Sequence, residues 1–222
     1  MSVAQKIDHT LLKVDATRTE IEQLCEEAIQ FKTFSVCINP VWVSLAHSLL
    51  RNTQVKVCSV VGFPLGATLD SVILAETEMV LTQGASEIDM VMNVSKFKSG
   101  DYNRVATGIQ LVSNFAHAFR PETIVKVIVE SAVLTEEEKR TAASMVVDSG
   151  ADFLKTSTGY IPNPALIDDV ALFKKVLPDE FRIKAAGGIR SYEMVKVLLD
   201  MGVNRIGASS TRKIIEEESS FF

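Results

Sequence analysis

Gln83-Gly84-Ala85-Ser86-Glu87-Ile88-Asp89-Met90-Val91 reads as the end of a helix, a glycine stop and the start of a strand. Glycine takes the left-handed conformation that closes a last helical turn. The residues after it alternate, so Glu87, Asp89 and Val91 share one face of the strand and Ile88, Met90 and Met92 the other. The same junction recurs at Ser149-Gly150-Ala151, ahead of Asp152-Phe153-Leu154-Lys155, and at Met201-Gly202-Val203, ahead of Arg205-Ile206-Gly207. A repeated helix, stop and strand marks a βα unit.

Working outward, eight β-rich segments emerge: Lys6–His9, Phe34–Ile38, Val55–Val61, Glu87–Met92, Ile124–Glu130, Asp152–Lys155, Arg182–Ala186 and Arg205–Gly207. Helical spacing fills the gaps. Thr17-x-x-Glu20 is a capping box ahead of Ile21, Leu24, Cys25 and Ala28, an apolar face at i, i+3, i+4 and i+7, and Thr135-x-x-Glu138 is a second box. Eight such units in 222 residues fit a compact (β/α)8 TIM barrel, whose lower limit is roughly 200 residues. No linker divides the chain, so residues 1–222 are expected to form a single domain. A doubly wound sheet would carry a glycine-rich phosphate turn after its first strand, and Asp8-His9-Thr10-Leu11-Leu12-Lys13 has no glycine.

Composition narrows the function. The chain is 47% hydrophobic and 23% charged, which suits a packed core and not a disordered segment. Its formal charge of −5 gives no electrostatic footprint for nucleic acid. The start has no apolar run behind Lys6, and no segment approaches the ~18 apolar residues of a membrane span. A cytoplasmic protein is expected. Cys25, Cys37 and Cys58 are odd in number and lack C-x-x-C spacing, which argues for reduced thiols.

Barrel active sites lie at the C-terminal ends of the strands. There stand Asp89 on the fourth strand, Lys155 on the sixth and Lys184 on the seventh. If both lysines face inward on strands about 4.8 Å apart, two ammonium groups share a poorly solvated site and one loses its proton easily. A neutral lysine attacks carbonyls to form a Schiff base, and Asp89 then moves protons. In the alternative, each lysine ends its strand in solvent or pairs with a carboxylate such as Asp152. Gly187-Gly188-Ile189-Arg190-Ser191 and Gly207-Ala208-Ser209-Ser210-Thr211 are loops leading into helices. They are either a phosphate cradle or ordinary turns with serine caps.

His9, His47 and His117 have no metal-ligand spacing, so no metal is expected. His9 reads as a hydrogen-bonded structural residue, and His47 and His117 as helix-face residues. Cys37 is either an inert buried thiol or one that meets an aldehyde. Glu216-Glu217-Glu218 reads as a solvated tail, and Phe221 and Phe222 either pack or fold over the site.

Several blocks together resemble the deoxyribose-phosphate aldolases, class I enzymes. They are Ile7-Asp8-His9-Thr10-Leu11-Leu12-Lys13, Val36-Cys37-Ile38-Asn39-Pro40, Val61-Gly62-Phe63-Pro64-Leu65-Gly66-Ala67, Glu87-Ile88-Asp89-Met90-Val91, Leu154-Lys155-Thr156-Ser157-Thr158-Gly159, Lys184-Ala185-Ala186-Gly187-Gly188-Ile189-Arg190 and Arg205-Ile206-Gly207-Ala208-Ser209-Ser210. The resemblance implies Lys155 as the Schiff-base lysine, Lys184 as the lysine that lowers its pKa, and Asp89 as the proton relay. It implies phosphate binding at Gly159, Gly187, Gly188, Gly207, Ser209 and Ser210, no cofactor, and a cytoplasmic homodimer acting on small phosphorylated sugars and aldehydes in deoxynucleoside catabolism. Two departures stand out. Tyr160 follows Ser-Thr-Gly where many members have lysine or an aromatic, which bears on phosphate affinity, and Ser131-Ala132 replaces a common Thr-Cys after Glu130. Rival readings are a class I aldolase for another phosphorylated sugar and a non-catalytic sugar-phosphate-binding protein.

Overall fold

The computed structural model describes residues 2–163 and 166–220. Eight parallel strands close into a barrel in sequence order: β1 (Ile7–Leu11), β2 (Ser35–Ile38), β3 (Lys56–Val61), β4 (Glu87–Val91), β5 (Ile124–Ile128), β6 (Phe153–Lys155), β7 (Arg182–Ala186) and β8 (Arg205–Ala208). The last strand pairs with the first, so no strand edge is left open. Around them run α1 (Arg18–Phe31), α2 (Val43–Leu50), α3 (Asp70–Thr82), α4 (Val94–Lys98), α5 (Tyr102–Phe119), α6 (Glu136–Asp148), α7 (Leu166–Val176), α8 (Tyr192–Asp200) and α9 (Thr211–Ser220). This is the expected (β/α)8 architecture.

Local signals act as read. Thr17 and Thr135 each form a reciprocal capping box with the glutamate three residues on. Gly84, Gly150 and Gly202 take φ of +107°, +74° and +87° at their helix ends, a conformation that costs other residues roughly 1–2 kcal/mol. Period-2 alternation then sorts each strand. Val36, Ile38, Ile88, Met90, Val125, Val127, Leu154, Ile183 and Ile206 face outward into the core beneath the helices, each fully buried aliphatic contributing about 1.5–3 kcal/mol.

Several boundaries and contacts differ from expectation. β1 begins at Ile7 because Lys6 closes a 3-10 turn over Val3–Lys6. β5 stops at Ile128, and Glu130 sits in the left-handed region at φ +52°. Asp152 pairs with His117 and Arg182 and not with a lysine. Glu216–Glu218 belong to α9 and are not a free tail: Glu217 accepts from the Tyr192 amide at 2.7 Å, and Glu218 from Ser2 Oγ at 2.7 Å. Phe221 and Phe222 lie outside the described residues.

Candidate active site

The inward faces of the strands carry charge where barrels commonly carry aliphatic side chains. In-register pairs Val60↔Asp89, Asp89↔Lys126, Lys155↔Lys184 and Lys184↔Arg205 put these residues on one side of the sheet. Three carboxylates and three cations then form a closed ring. Lys184 Nζ makes ion pairs with Asp8 at 2.5 Å and Asp89 at 2.7 Å. Arg205 joins Asp8 at 2.7 Å to Glu87 at 3.0 Å. Lys126 joins Glu87 at 2.7 Å to Asp89 at 2.9 Å. Each cation has two carboxylates and each carboxylate two cations, so the ring is electrically balanced. Burying these charges is tolerated only because every one is paired.

Lys155 is the seventh charge. Its Nζ donates to Asp89 Oδ2 at 2.7 Å, the oxygen that Lys184 also uses, and Asp89 is its sole carboxylate partner among the described residues. Lys126 and Lys184 are sealed from solvent. Lys155 lines a cavity of about 560 Å3 at the C-terminal end of the strands, a size suited to a small substrate. Of the four interior cations, it alone meets that space.

Burial works against the Asp89 charge, but Lys126, Lys155 and Lys184 together outweigh it and hold the carboxyl well below the usual range. Asp8 is lowered in the same way by Lys184 and Arg205. Burial opposes the Lys184 ammonium too, yet Asp8 and Asp89 raise its pKa, so Lys184 stays cationic. The Cys58 thiol is pushed well up by burial and donates to Asp89 Oδ1 at 3.3 Å, while Cys37 reaches Oδ2 at 3.8 Å. Both oxygens of Asp89 already accept from ammonium groups, which leaves this Cys37, Cys58 and Asp89 cluster a poor match to a cation despite donor atoms within 4.8 Å of one another.

Gly159, Gly187, Gly188, Gly207 and Ser209 line the cavity. Gly187 and Gly188 have φ of +97° and +73°, which turn the backbone at the end of β7. Gly207 is glycine for lack of room: an added Cβ would lie 3.0 Å from Ala186 Cβ and 3.2 Å from Lys184 Cε. Ser210 is not among the residues that line this cavity. It sits just ahead of α9, where its carbonyl accepts from Ile214, so it belongs to the helix start. His9 faces outward and bonds Glu27 at 3.2 Å, a structural role.

The structure brings Asp89, Lys155 and Lys184 together as expected. It adds Asp8, Glu87, Lys126 and Arg205, which sequence reasoning did not assign to the site. Lys126 carried a usable signal, since a lysine between Val125 and Val127 in an otherwise apolar strand must face inward if its neighbours face the helices.

The profile of the family described as DeoC/LacD family aldolase matches residues 2–217. A deoxyribose-phosphate aldolase of Caldanaerobacter subterraneus subsp. tengcongensis is 48% identical, over 98% of this chain and 94% of that protein. One of Thermococcus gammatolerans is 47% identical, over 97% and 96%. Among solved structures, that titled "QR15, an Aldolase" superposes with a TM-score of 0.92 at 37% identity, covering 99% of this chain and 97% of the other. The Aeropyrum pernix deoxyribose phosphate aldolase, described as tetrameric, gives 0.91 at 30%, covering 99% and 92%. With its barrel, its buried lysines and these matches over nearly its whole length, the chain belongs to the DeoC/LacD family of aldolases.

Proposed function

We propose that this protein cleaves 2-deoxy-D-ribose 5-phosphate reversibly to D-glyceraldehyde 3-phosphate and acetaldehyde through a Schiff base on Lys155. The observation that carries the reading is the position of Lys155: the one interior cation outside the balanced ring and the one that meets the cavity. With Lys155 protonated the seven side chains carry one surplus positive charge. Loss of that proton leaves the interior neutral and exposes an amine to the substrate.

The neutral amine adds to the C1 aldehyde of the open-chain sugar. Loss of water from the carbinolamine leaves an iminium ion, with protons exchanged through Asp89, which touches Lys155 and Lys184 through one oxygen. The C3 hydroxyl then gives up its proton as the C2–C3 bond breaks. The bonding pair moves into the iminium, giving a two-carbon enamine and releasing the three-carbon aldehyde phosphate. Protonation at C2 and hydrolysis return acetaldehyde and Lys155. Lys184, held as a cation by Asp8 and Asp89, keeps a positive charge beside the reacting nitrogen throughout. The phosphate lies against the backbone of Gly159, Gly187, Gly188 and Gly207 and the Ser209 hydroxyl, where N–H groups and the starts of α8 and α9 favour an anion.

Borohydride reduction in the presence of 2-deoxyribose 5-phosphate, followed by peptide mass mapping, tests this. An adduct on Lys155 is expected. Active protein without an adduct would overturn the imine, and absence of both adduct and cleavage would overturn the substrate.

No helix among the described residues is long and apolar enough to cross a membrane. The three buried free thiols suit the reducing cytoplasm that we infer as its location. A second copy is the partner we infer, seated on the exposed side chains of Val41 in the turn ahead of α2, Leu65 and Leu69 in the loop ahead of α3, and Val72 and Met79 on α3. Leu69→Asp with Met79→Asp should halve the mass measured by light scattering; an unchanged mass rejects this face.

A further inference from the structure

The loop after β6 is tied at two levels. Its Thr158 amide donates to Glu130 at 3.2 Å and its hydroxyl donates to the same carboxylate. Thr158 Oγ1 accepts the Tyr160 amide at 3.1 Å. Tyr160 lines the cavity, and its hydroxyl donates to the Leu12 carbonyl in the loop after β1 at 2.8 Å. Its ring stands edge-on to Phe63, centroids 5.4 Å apart, which holds the phenol in place. The single Tyr160 proton is therefore committed to Leu12 and is not free for a substrate anion.

A phosphate dianion beside glycine amides and helix starts is held more tightly when a cationic side chain adds a charge-assisted hydrogen bond. Among the cavity-lining residues the cations are Lys13, Lys155 and Arg190, and Asp15 is the acid. Lys155 is engaged by Asp89. Among the described residues, Lys13 and Arg190 have no carboxylate within ion-pair distance. Lys13 directly follows the residue that Tyr160 grips, and its carbonyl accepts from Ala16 in the turn that leads to α1.

We propose that Lys13 is the cation that recognises the substrate phosphate and that Tyr160 is its positioning residue, latching the loop after β1 to the loop after β6. The inference rests on the aldolase reading for its substrate, while its core is binding of a phosphate dianion. Arg190 serves the same anion from the loop after β7. Recognition is thereby carried by a charge in the loop after β1, with the tyrosine acting through Leu12 and not through the phosphate.

The test compares wild type, Lys13→Ala, Lys13→Arg and Tyr160→Phe. It reads the ratio of kcat/KM for 2-deoxyribose 5-phosphate over unphosphorylated 2-deoxyribose, and the Kd for inorganic phosphate by calorimetry. Lys13→Ala should lower the ratio about tenfold or more and weaken phosphate by a similar factor, the size of a lost charge-assisted hydrogen bond. Lys13→Arg should retain most of both. Tyr160→Phe, which removes only the latch, should shift both the same way by about three- to tenfold. An unchanged phosphate Kd in Lys13→Ala, an equal loss on both sugars, or Lys13→Arg behaving like alanine would each overturn the proposal. Wild type that binds phosphate through Lys13 but traps no imine would instead remove the aldolase reading and leave the latch standing.

Discussion

Lys155 and Lys184 donate to the same oxygen, Asp89 Oδ2, each at 2.7 Å, but only Lys184 has a second carboxylate, Asp8, to hold it. Two chemically identical side chains are thereby made unequal by one neighbour. The doubly held lysine is the permanent cation, and the singly held one is the lysine that lines the cavity.

Lys184→Met keeps most of the stem volume and removes the charge. The cation beside the reacting nitrogen is then gone, and Asp89 Oδ2 accepts from Lys155 alone. The expected result is a kcat lowered about 100-fold or more, with imine trapping by borohydride slowed to match. Breaking the ring should also cost about 3–5 kcal/mol in urea unfolding, since Asp8 and Asp89 lose a buried partner. A variant destabilised to that extent that still traps the imine at the wild-type rate would assign Lys184 to packing alone.

The ring also sets the response to acid. Asp8 and Asp89 are depressed in the folded protein below the ordinary value of 3.8. Their stabilisation is therefore complete above that value and is lost as pH falls through the folded values. Asp8→Asn should be less stable than wild type by about 3–5 kcal/mol at pH 7. The gap should narrow steadily as urea midpoints are taken from about pH 4 downward. A gap independent of pH would show that Asp8 acts through shape and hydrogen bonding and not through charge.

Asp89, Lys155 and Lys184 were legible because each breaks the apolar run of a short strand, and alternation alone assigns its face. The ring was not legible. Asp8 and Arg205 are 197 residues apart and meet only because β8 closes onto β1, a relation no local pattern contains. Glu130 was hidden for a different reason: the run from Ile124 continues as strand by pattern, yet the chain turns into the left-handed region there. Ser210 stays open to both readings, since a serine ahead of a helix serves equally as a helix start or an anion donor.

Gly207 and Gly188 are glycines for opposite reasons, and alanine at each should separate them. At Gly188 an added Cβ meets nothing within 4 Å, and the cost is the φ of +73°, about 1–2 kcal/mol. At Gly207 the backbone is ordinary but the Cβ collides with Ala186 Cβ and with the Lys184 stem, whose Nζ is pinned at both ends by carboxylates. Gly207→Ala should therefore lose about 1–3 kcal/mol and also slow imine trapping by displacing Lys184. Gly188→Ala should weaken phosphate binding before it slows trapping of an unphosphorylated aldehyde. Equal effects of the two variants on trapping would reject the distinction.

Glu130 combines an unfavourable backbone, φ +52° and ψ +58°, with a buried carboxylate that holds the amide and hydroxyl of Thr158. The two contributions are separable with two substitutions. Glu130→Ala keeps the backbone penalty and leaves the Thr158 donors without a partner, at about 1–3 kcal/mol for each buried group. Glu130→Gly leaves the same donors unpartnered but relieves the left-handed residue, so it should be more stable than the alanine variant by roughly 1 kcal/mol. If the carboxylate is what positions the loop after β6, the two should share the same loss in kcat/KM for 2-deoxyribose 5-phosphate despite unequal urea midpoints. Recovery of activity in the glycine variant would instead locate the function of this residue in its backbone, and the carboxylate would be dispensable.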